Sequence, residues 1–219
     1  MLKKVYDRLY RTYGPQHWWP GDSPFEVIVG AILTQNTNWT NVEKAIDNLK
    51  DEGILHPKGL RDIVIDELAD IIRPSGFFNI KAKRLKAFID FLFHHFEGEL
   101  DNMFTLNMKK IRNTLLEVKG IGPETADSIL LYAGQYPTFV IDAYTKRIFS
   151  RLSIVHEEQT YHQLQEYFMT HLKEDVSLFN EYHALIVRHA KEHCRSKPIC
   201  GSCPLLDMPC PFGQKVVTI

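Results

Sequence analysis

The chain has 219 residues with a formal net charge of −1, and 44% of its residues are hydrophobic and 24% charged. This length is enough for one large or two small domains with a sizeable core, and the near-zero charge excludes a strongly basic surface, so a nucleic-acid site would have to be a local patch. No apolar run reaches the length of a membrane span and no signal-peptide core is visible, which predicts a cytoplasmic protein with no membrane partner.

Apolar residues recur at helical spacing along the whole chain, without convincing strand alternation. The first helix is expected to stop near Gly14, and a second to run from Phe25 to Leu33. Thr40 and Glu43 fit a capping box for a third. Thr160 and Asn180 are predicted to cap two later helices, and a helix is expected to start near Asp142. These patterns predict an all-α fold.

A glycine hairpin is predicted at 118–126, which reads Val-Lys-Gly-Ile-Gly-Pro-Glu-Thr-Ala. Gly120 and Gly122 allow a backbone with positive φ, and Pro123 suits the first turn of a following helix. The backbone amides of the two glycines would lie near that helix N-terminus, which favours an anion such as a DNA phosphate. Taken alone, the motif is more typical of a tight turn between packed helices.

All four cysteines lie near the C-terminal end, at Cys194, Cys200, Cys203 and Cys210. In a cytoplasmic protein such an array indicates metal ligands rather than disulfides. Four thiolates can hold an iron–sulfur cluster or zinc.

The hairpin, the downstream Asp142 and the cysteine tail together resemble the helix-hairpin-helix DNA glycosylases of the endonuclease III superfamily. The resemblance implies a two-lobed all-α fold, with a helical barrel domain over 22–132 that contains the hairpin. A second domain would combine 1–21 with 133–219. It also implies a monomer whose partner is double-stranded DNA containing a damaged base.

The family's cysteine spacing, x6-x2-x5, implies that the tail holds a [4Fe–4S] cluster. Here the spacing is x5-x2-x6, so the central pair matches and each outer loop differs by one residue. Zinc therefore stays open as the alternative metal.

The resemblance also assigns roles to single residues. Asp142 stands in the position of the catalytic carboxylate, which stabilises the cation-like sugar and activates water; its alternative role is that of a helix N-cap. Gln35 stands where the family carries a glutamine that fills the gap left by a flipped base, and it could otherwise belong to a plain polar loop. The hairpin residues expected to bind DNA are Lys119, Gly120, Gly122 and Thr125.

Two positions depart from other members of the superfamily. Glu124 stands where bifunctional enzymes carry the lysine that forms a Schiff base with the sugar, which predicts a monofunctional enzyme with weak or absent abasic-site lyase activity. Gly30 stands where the adenine glycosylases carry a glutamate, which argues against that specificity.

Aromatic residues indicate the base that is removed. Trp18, Trp19 and Pro20 resemble a stretch that lines the base pocket in the 3-methyladenine DNA glycosylase III branch, although paired tryptophans also fill gaps between domains. With Trp39 and Glu124 they form the predicted base pocket, and their rings could stack on a cationic alkylated purine.

The expected function is therefore base excision repair by hydrolysis of the N-glycosidic bond of alkylated purines such as 3-methyladenine. Two alternatives stay open. The first is a mismatch thymine or oxidised-pyrimidine glycosylase, and the second is a non-catalytic DNA-binding module, which would not need an acid at position 142.

Overall fold

The computed structural model of the protein describes residues 1–18 and 21–217. Within these ranges the chain is helical and no strand is present, which confirms the all-α prediction. The helices in chain order are α1 (Leu2–Tyr13), α2 (Pro24–Leu33), α3 (Trp39–Asp51), α4 (Pro57–Asp62), α5 (Ile65–Ile71), α6 (Phe78–Phe96), α7 (Leu100–Met103), α8 (Met108–Glu117), α9 (Pro123–Ser128), α10 (Ala143–Arg151), α11 (Tyr161–His171), α12 (Val176–Glu192) and α13 (Pro211–Val217). A 3₁₀ turn covers Arg73–Ser75, and a π-helical turn covers Ile129–Ala133.

The chain divides into two compact units. The first contains Met1–Trp18 and Pro137–Ile219, and in it α1 packs on α12. The second contains Trp19–Tyr136 and therefore α2 to α9. None of the helices in the described part of the chain is long and apolar enough to cross a membrane.

The second unit is built around α2, which is buried on nearly every side. A helix that is apolar all round has no polar face to turn toward water and belongs inside a core. It packs on α3, α6, α9 and the π-helical turn. The longest helix, α6, adds an apolar face of Leu85, Phe88, Ile89 and Leu92, each fully buried.

One lysine is buried at the start of α6. Lys81 is 1% exposed, and its Nζ donates to the carbonyl oxygen of Ser75 at 2.6 Å. Burial and then the neighbouring charge of Arg84 lower the pKa of Lys81 to about 8. Its ammonium group thus satisfies a carbonyl of the 3₁₀ turn, which ties this turn to α6.

The hairpin helices α8 and α9 are joined by a bidentate ion pair. Arg112 Nε and Nη2 donate to Asp127 Oδ1 and Oδ2 at 2.7 and 2.9 Å. Asp127 is fully buried. A planar guanidinium matches the two carboxylate oxygens, which fixes the distance and orientation between the two helices.

The first unit has an aromatic core. Phe139, Phe149, Phe168 and Tyr182 are fully buried, with ring centroids of Phe139 and Phe168 4.5 Å apart. Tyr182 Oη donates to the carbonyl oxygen of Leu2 at 2.7 Å, so the one polar atom of this ring is satisfied inside the core.

Two predicted helix caps are wrong and one is confirmed. The cap of α3 is Asn38, whose side chain accepts from the Asn41 amide. Thr40 and Glu43 do not form a capping box, because both lie inside the helix that starts at Trp39. Glu43 instead accepts a hydrogen bond from the indole of Trp39. Asn180 lies inside α12, which is capped by Asp175. Thr160 does cap α11, with a complete capping box.

Candidate functional site

The hairpin between α8 and α9 uses its two glycines differently. Gly120 has a φ of 93°, in the left-handed region that glycine favours. A Cβ at Gly120 would also collide with the side chain of Arg84, lying 2.9 Å from Arg84 Cδ and Nε. Gly122 has a φ of −92° and caps α9, and a Cβ there would meet no atom within 4 Å. Only Gly120 therefore needs the conformational freedom of glycine.

The polar hairpin residues divide into an outer and an inner set. Lys119 and Glu124 are exposed, whereas Thr125 is 7% exposed. Thr125 Oγ1 accepts a hydrogen bond from Gln35 Nε2 at 3.1 Å. The buried Thr125 thus holds a neighbouring loop in place, and its predicted contact with DNA stays a prediction.

Gln35 follows α2 and turns toward the hairpin. Its Nε2 also donates to the carbonyl oxygen of Gly120 at 3.1 Å, and its Oε1 accepts from Arg84 Nη1. Both ends of the amide are therefore used within the protein. The predicted insertion of Gln35 into DNA would require these bonds to be exchanged for others.

Asp142 is the N-cap of α10, as expected for its alternative role. Its Oδ1 accepts from the amide nitrogen of Thr145 at 2.7 Å and from Thr145 Oγ1 at 2.8 Å. Its other oxygen, Oδ2, lies 3.5 Å from Nε2 of His183, and the Asp142 side chain is 13% exposed. One carboxylate oxygen is thus fixed by the helix start, and the second faces an imidazole.

The protein holds Asp142 in its charged form. Burial by itself raises the pKa of this carboxyl, but His183 and the two hydrogen bonds from Thr145 together outweigh burial and lower the pKa below its ordinary value. Asp142 is therefore ionised at neutral pH, as a carboxylate that stabilises positive charge must be.

His183 was not among the predicted site residues. It lies on the buried face of α12 with Phe179 and Tyr182, and it is 6% exposed. The available sequence signal was a histidine within an otherwise apolar stripe. Trp18 stacks on the His183 ring, with centroids 5.6 Å apart and planes 21° from parallel.

The predicted base-pocket residues have different surroundings. Trp18 is half-buried against His183, while Trp19 and Pro20 lie outside the described residues. Trp39 donates from Nε1 to Glu43 Oε1 at 2.9 Å, and a Cβ at Gly30 would lie 3.3 Å from the Trp39 ring. The Trp39 ring thus occupies the space into which a side chain at position 30 would point.

The four cysteines line one cavity, together with Ile148 and Leu206. All four are free thiols. The pKa of Cys203 is raised to about 11, mainly by burial and also by negative charge on Cys194, Cys210 and Cys200, although a hydrogen bond from the Leu205 backbone opposes the rise. Neighbouring thiolates repel one another, and a bound cation would offset that repulsion.

Hydrogen-bond donors also face these sulfur atoms. The Gly213 amide donates to Cys210 Sγ at 3.3 Å, and Arg151 Nη1 donates to Cys194 Sγ at 3.4 Å. His189 Nε2 lies 3.8 Å from Cys203 Sγ, and Nδ1 of the same ring lies 2.9 Å from Tyr13 Oη. Such donors stabilise thiolate ligands.

The donor set and its surroundings therefore fit a thiolate-bound metal centre. Even so, no three histidine, cysteine, aspartate or glutamate side chains within 1–18 and 21–217 are arranged to hold a metal ion. The sulfur atoms share a cavity but do not have coordination geometry. The metal assignment of these residues stays a prediction.

Comparison with known proteins defines the family. Residues 29–174 match the sequence profile of the HhH-GPD superfamily of base excision DNA repair proteins. The chain is 47% identical over 207 residues to a protein of Methanocaldococcus jannaschii provisionally named a DNA repair glycosylase, and the match covers 94% of each chain.

Two solved structures are also similar. One is H. pylori 3-methyladenine DNA glycosylase bound to 1,N6-ethenoadenine, at 32% identity and a TM-score of 0.72, covering 87% of this chain and 94% of that one. The other is an endonuclease III in a non-covalent complex with DNA, at 21% identity and a TM-score of 0.85, covering 100% of this chain and 97% of that one. At this identity, the second match shows a shared fold.

Proposed function

Because the chain belongs to the HhH-GPD superfamily of base excision DNA repair glycosylases, we propose that it is a monofunctional enzyme that removes alkylated purines such as 3-methyladenine from double-stranded DNA. The N-glycosidic bond would be hydrolysed by water, without a covalent enzyme–sugar intermediate.

The observation that carries the monofunctional proposal is the exposed Glu124 in the first turn of α9. A Schiff base needs an amine at the position of the attacking group, and a carboxylate has none. Lys119 lies in the same hairpin, but it precedes Gly120 and belongs to the turn by position. It is the amine to examine if a covalent intermediate does form.

Asp142 is the proposed catalytic carboxylate. Its Oδ1 is held by Thr145, so Oδ2 is the oxygen that would face the positive charge developing on the sugar. An ionised carboxylate already held in place stabilises such charge without reorganising during the reaction. The same oxygen could orient the attacking water. His183, at 3.5 Å from Oδ2, would help to hold the carboxylate in this orientation.

The substrate proposal depends on charge and stacking. A 3-methylated adenine is cationic and leaves readily, so the enzyme needs little acid assistance. It also gains up to ~2 kcal/mol from an aromatic face when desolvated. Trp19 and Trp39 are the proposed faces, Trp18 is the neighbour expected to face the core, and Pro20 would limit the freedom of the loop. The similar H. pylori structure is a 3-methyladenine DNA glycosylase bound to 1,N6-ethenoadenine.

The lack of a side chain at position 30 supports the same specificity. Trp39 occupies that space, so the glutamate of the adenine glycosylases could not be placed there without moving the ring. This supports an enzyme that relies on the positive charge already on the base rather than on proton donation to a neutral one.

We further propose that Cys194, Cys200, Cys203 and Cys210 hold a [4Fe–4S] cluster. The cluster would supply folding energy and a rigid support for the loops between Cys194 and Cys210. Two observations support this assignment: the cysteines share one cavity, and hydrogen-bond donors face their sulfur atoms. The alternative metal is zinc.

The deciding experiment is base release measured chromatographically from two kinds of DNA. Randomly methylated DNA should release 3-methyladenine, whereas duplexes with a single G·T mismatch or an oxidised pyrimidine should release far less. Release of thymine or oxidised pyrimidine with no 3-methyladenine would replace this proposal with the mismatch or endonuclease III type of enzyme. DNA binding with no release from any duplex would favour the non-catalytic module.

Borohydride trapping tests the monofunctional part separately. In a bifunctional enzyme, borohydride reduces the imine between enzyme and sugar and leaves a stable covalent complex with DNA. We expect no such complex here, because Glu124 cannot form the imine. Robust trapping that disappears in Lys119→Ala would assign the lyase step to that lysine and reject the monofunctional proposal.

A further inference from the structure

Arg84 joins two segments that are far apart in the sequence. It lies on α6, half-buried, and its aliphatic chain passes close to Gly120, where a Cβ would lie 2.9 Å from its Cδ and Nε. Its guanidinium donates to Oε1 of Gln35. One side chain therefore packs on the hairpin and bonds the loop after α2.

The amide orientation of Gln35 follows from these contacts. An amide offers acceptor lone pairs on one end and two donors on the other. Here Oε1 meets Arg84, and Nε2 meets two acceptors, Gly120 O and Thr125 Oγ1, each at 3.1 Å. The reversed amide would place oxygen against a carbonyl oxygen and NH₂ against a cation. Arg84 thus selects the orientation in which the amide also bonds the hairpin.

We propose that Arg84 is a positioning residue for DNA binding, which holds Gln35 against the hairpin so that the loop and the hairpin meet DNA as one prearranged surface. The proposal rests on the proposed function as a DNA glycosylase and on the predicted DNA contacts of the loop after α2 and the hairpin, and in it Gln35 keeps its bonds to Arg84 and the hairpin in the complex. Its basis is that a surface ordered before binding loses less conformational entropy when the complex forms. In this proposal the guanidinium of Arg84 donates to Gln35 and does not bind a DNA phosphate.

Lys83 provides the matched control. It is adjacent to Arg84 on α6, carries the same charge and is exposed. A cation that binds phosphate contributes to the dependence of affinity on salt, and its loss makes the slope of log affinity against log salt shallower by about 1. A residue that acts through another protein group leaves this slope unchanged. The slope therefore separates the two roles.

The experiment measures binding of the full-length protein to a duplex that contains a tetrahydrofuran abasic analogue, over a range of salt concentrations. Arg84→Ala should weaken binding roughly 10-fold, because Gln35 and its loop would then be ordered only when the complex forms, and it should keep the wild-type salt slope. Arg84→Lys, which keeps one donor and the charge, should recover part of the loss. Any loss in Lys83→Ala should come with a shallower slope.

A double-mutant cycle tests whether Arg84 acts through Gln35. In a Gln35→Ala background, Arg84→Ala should cause little further loss, because the group it positions is already gone. Melting temperatures of all variants show whether they are folded. The proposal is overturned if the two losses multiply independently, if Arg84→Ala reduces the salt slope by about 1, or if Arg84→Ala binds like the wild type.

The probe also separates this proposal from the substrate proposal. The abasic analogue has no base to remove, so a failure to release 3-methyladenine would leave the binding result intact. Conversely, if Arg84→Ala bound the abasic duplex like the wild type, the proposed specificity for alkylated purines would not be affected.

Discussion

At the scale of single residues, Asp142 combines a structural and a proposed chemical role that can be separated. Asparagine is as good an N-cap as aspartate, so Asp142→Asn should keep α10 folded, and its melting temperature should fall only by the stability that the carboxylate charge contributes. The loss of the negative charge should lower single-turnover excision by roughly 10²–10³-fold, or about 3–4 kcal/mol. Binding to damaged DNA should change little. Near-wild-type excision would leave Asp142 as a helix cap only.

The lowered pKa of Asp142 also predicts how stability depends on pH. Since the folded protein holds this carboxylate charged more strongly than the unfolded chain does, its contribution to stability is fully present above the unfolded pKa of about 3.9. The contribution disappears as the pH falls below that value through the folded pKa. Acid unfolding of Asp142→Asn should therefore show a weaker pH dependence in this range than the wild type.

The two neighbouring tryptophans should give different defects. Trp18 stacks on His183, so Trp18→Ala should mainly lower stability, by about 0.5–1.5 kcal/mol for the lost ring contact. Trp19 is the proposed pocket residue, and Trp19→Ala should weaken capture of the base by roughly 1–3 kcal/mol at a nearly unchanged melting temperature. Excision of 3-methyladenine by both variants at the wild-type rate would reject the stacking proposal.

At the scale of secondary-structure elements, the hairpin depends on the ion pair between α8 and α9. Removing Arg112 leaves the fully buried Asp127 without its bidentate partner. Arg112→Ala should therefore destabilise the protein by about 3–5 kcal/mol. Lys173→Ala removes a partner from an exposed pair with Asp175 and should change the melting temperature little. Similar losses of melting temperature in the two variants would show that the buried ion pair contributes no more to stability than the exposed one.

Local sequence signals predicted some elements well and could not specify others. Gly120, Pro123 and Thr160 act through their own backbone or the nearest turn, so the spacing of neighbouring residues was informative. The capping prediction at Thr40 failed because Asn38 caps α3 two residues earlier, which leaves Thr40 inside the first turn. The contacts of His183 with Asp142 and of Arg84 with Gln35 join distant segments, and no local pattern specifies such pairs.

At the scale of the whole molecule, the cysteine tail is expected to couple metal content to folding. Protein purified without oxygen should be brown and contain about four irons per chain for one [4Fe–4S] cluster. Cys200→Ser should lower both the iron content and the melting temperature, because metal binding contributes folding free energy. Stoichiometric zinc without iron would reject the cluster and leave the helical fold unaffected.

Tyr13 has one hydroxyl hydrogen and two imidazole neighbours, since its Oη lies 2.9 Å from Nδ1 of both His189 and His193. With both rings neutral, the hydroxyl donates to one ring and accepts from the other, so the two rings then have opposite tautomers. When His189 accepts at Nδ1, its hydrogen lies on Nε2 and points toward Cys203 Sγ. When the hydroxyl rotates, Nε2 presents a lone pair instead. A deprotonated sulfur selects the first arrangement, and the three rings then form a directional chain of hydrogen bonds that ends at that sulfur.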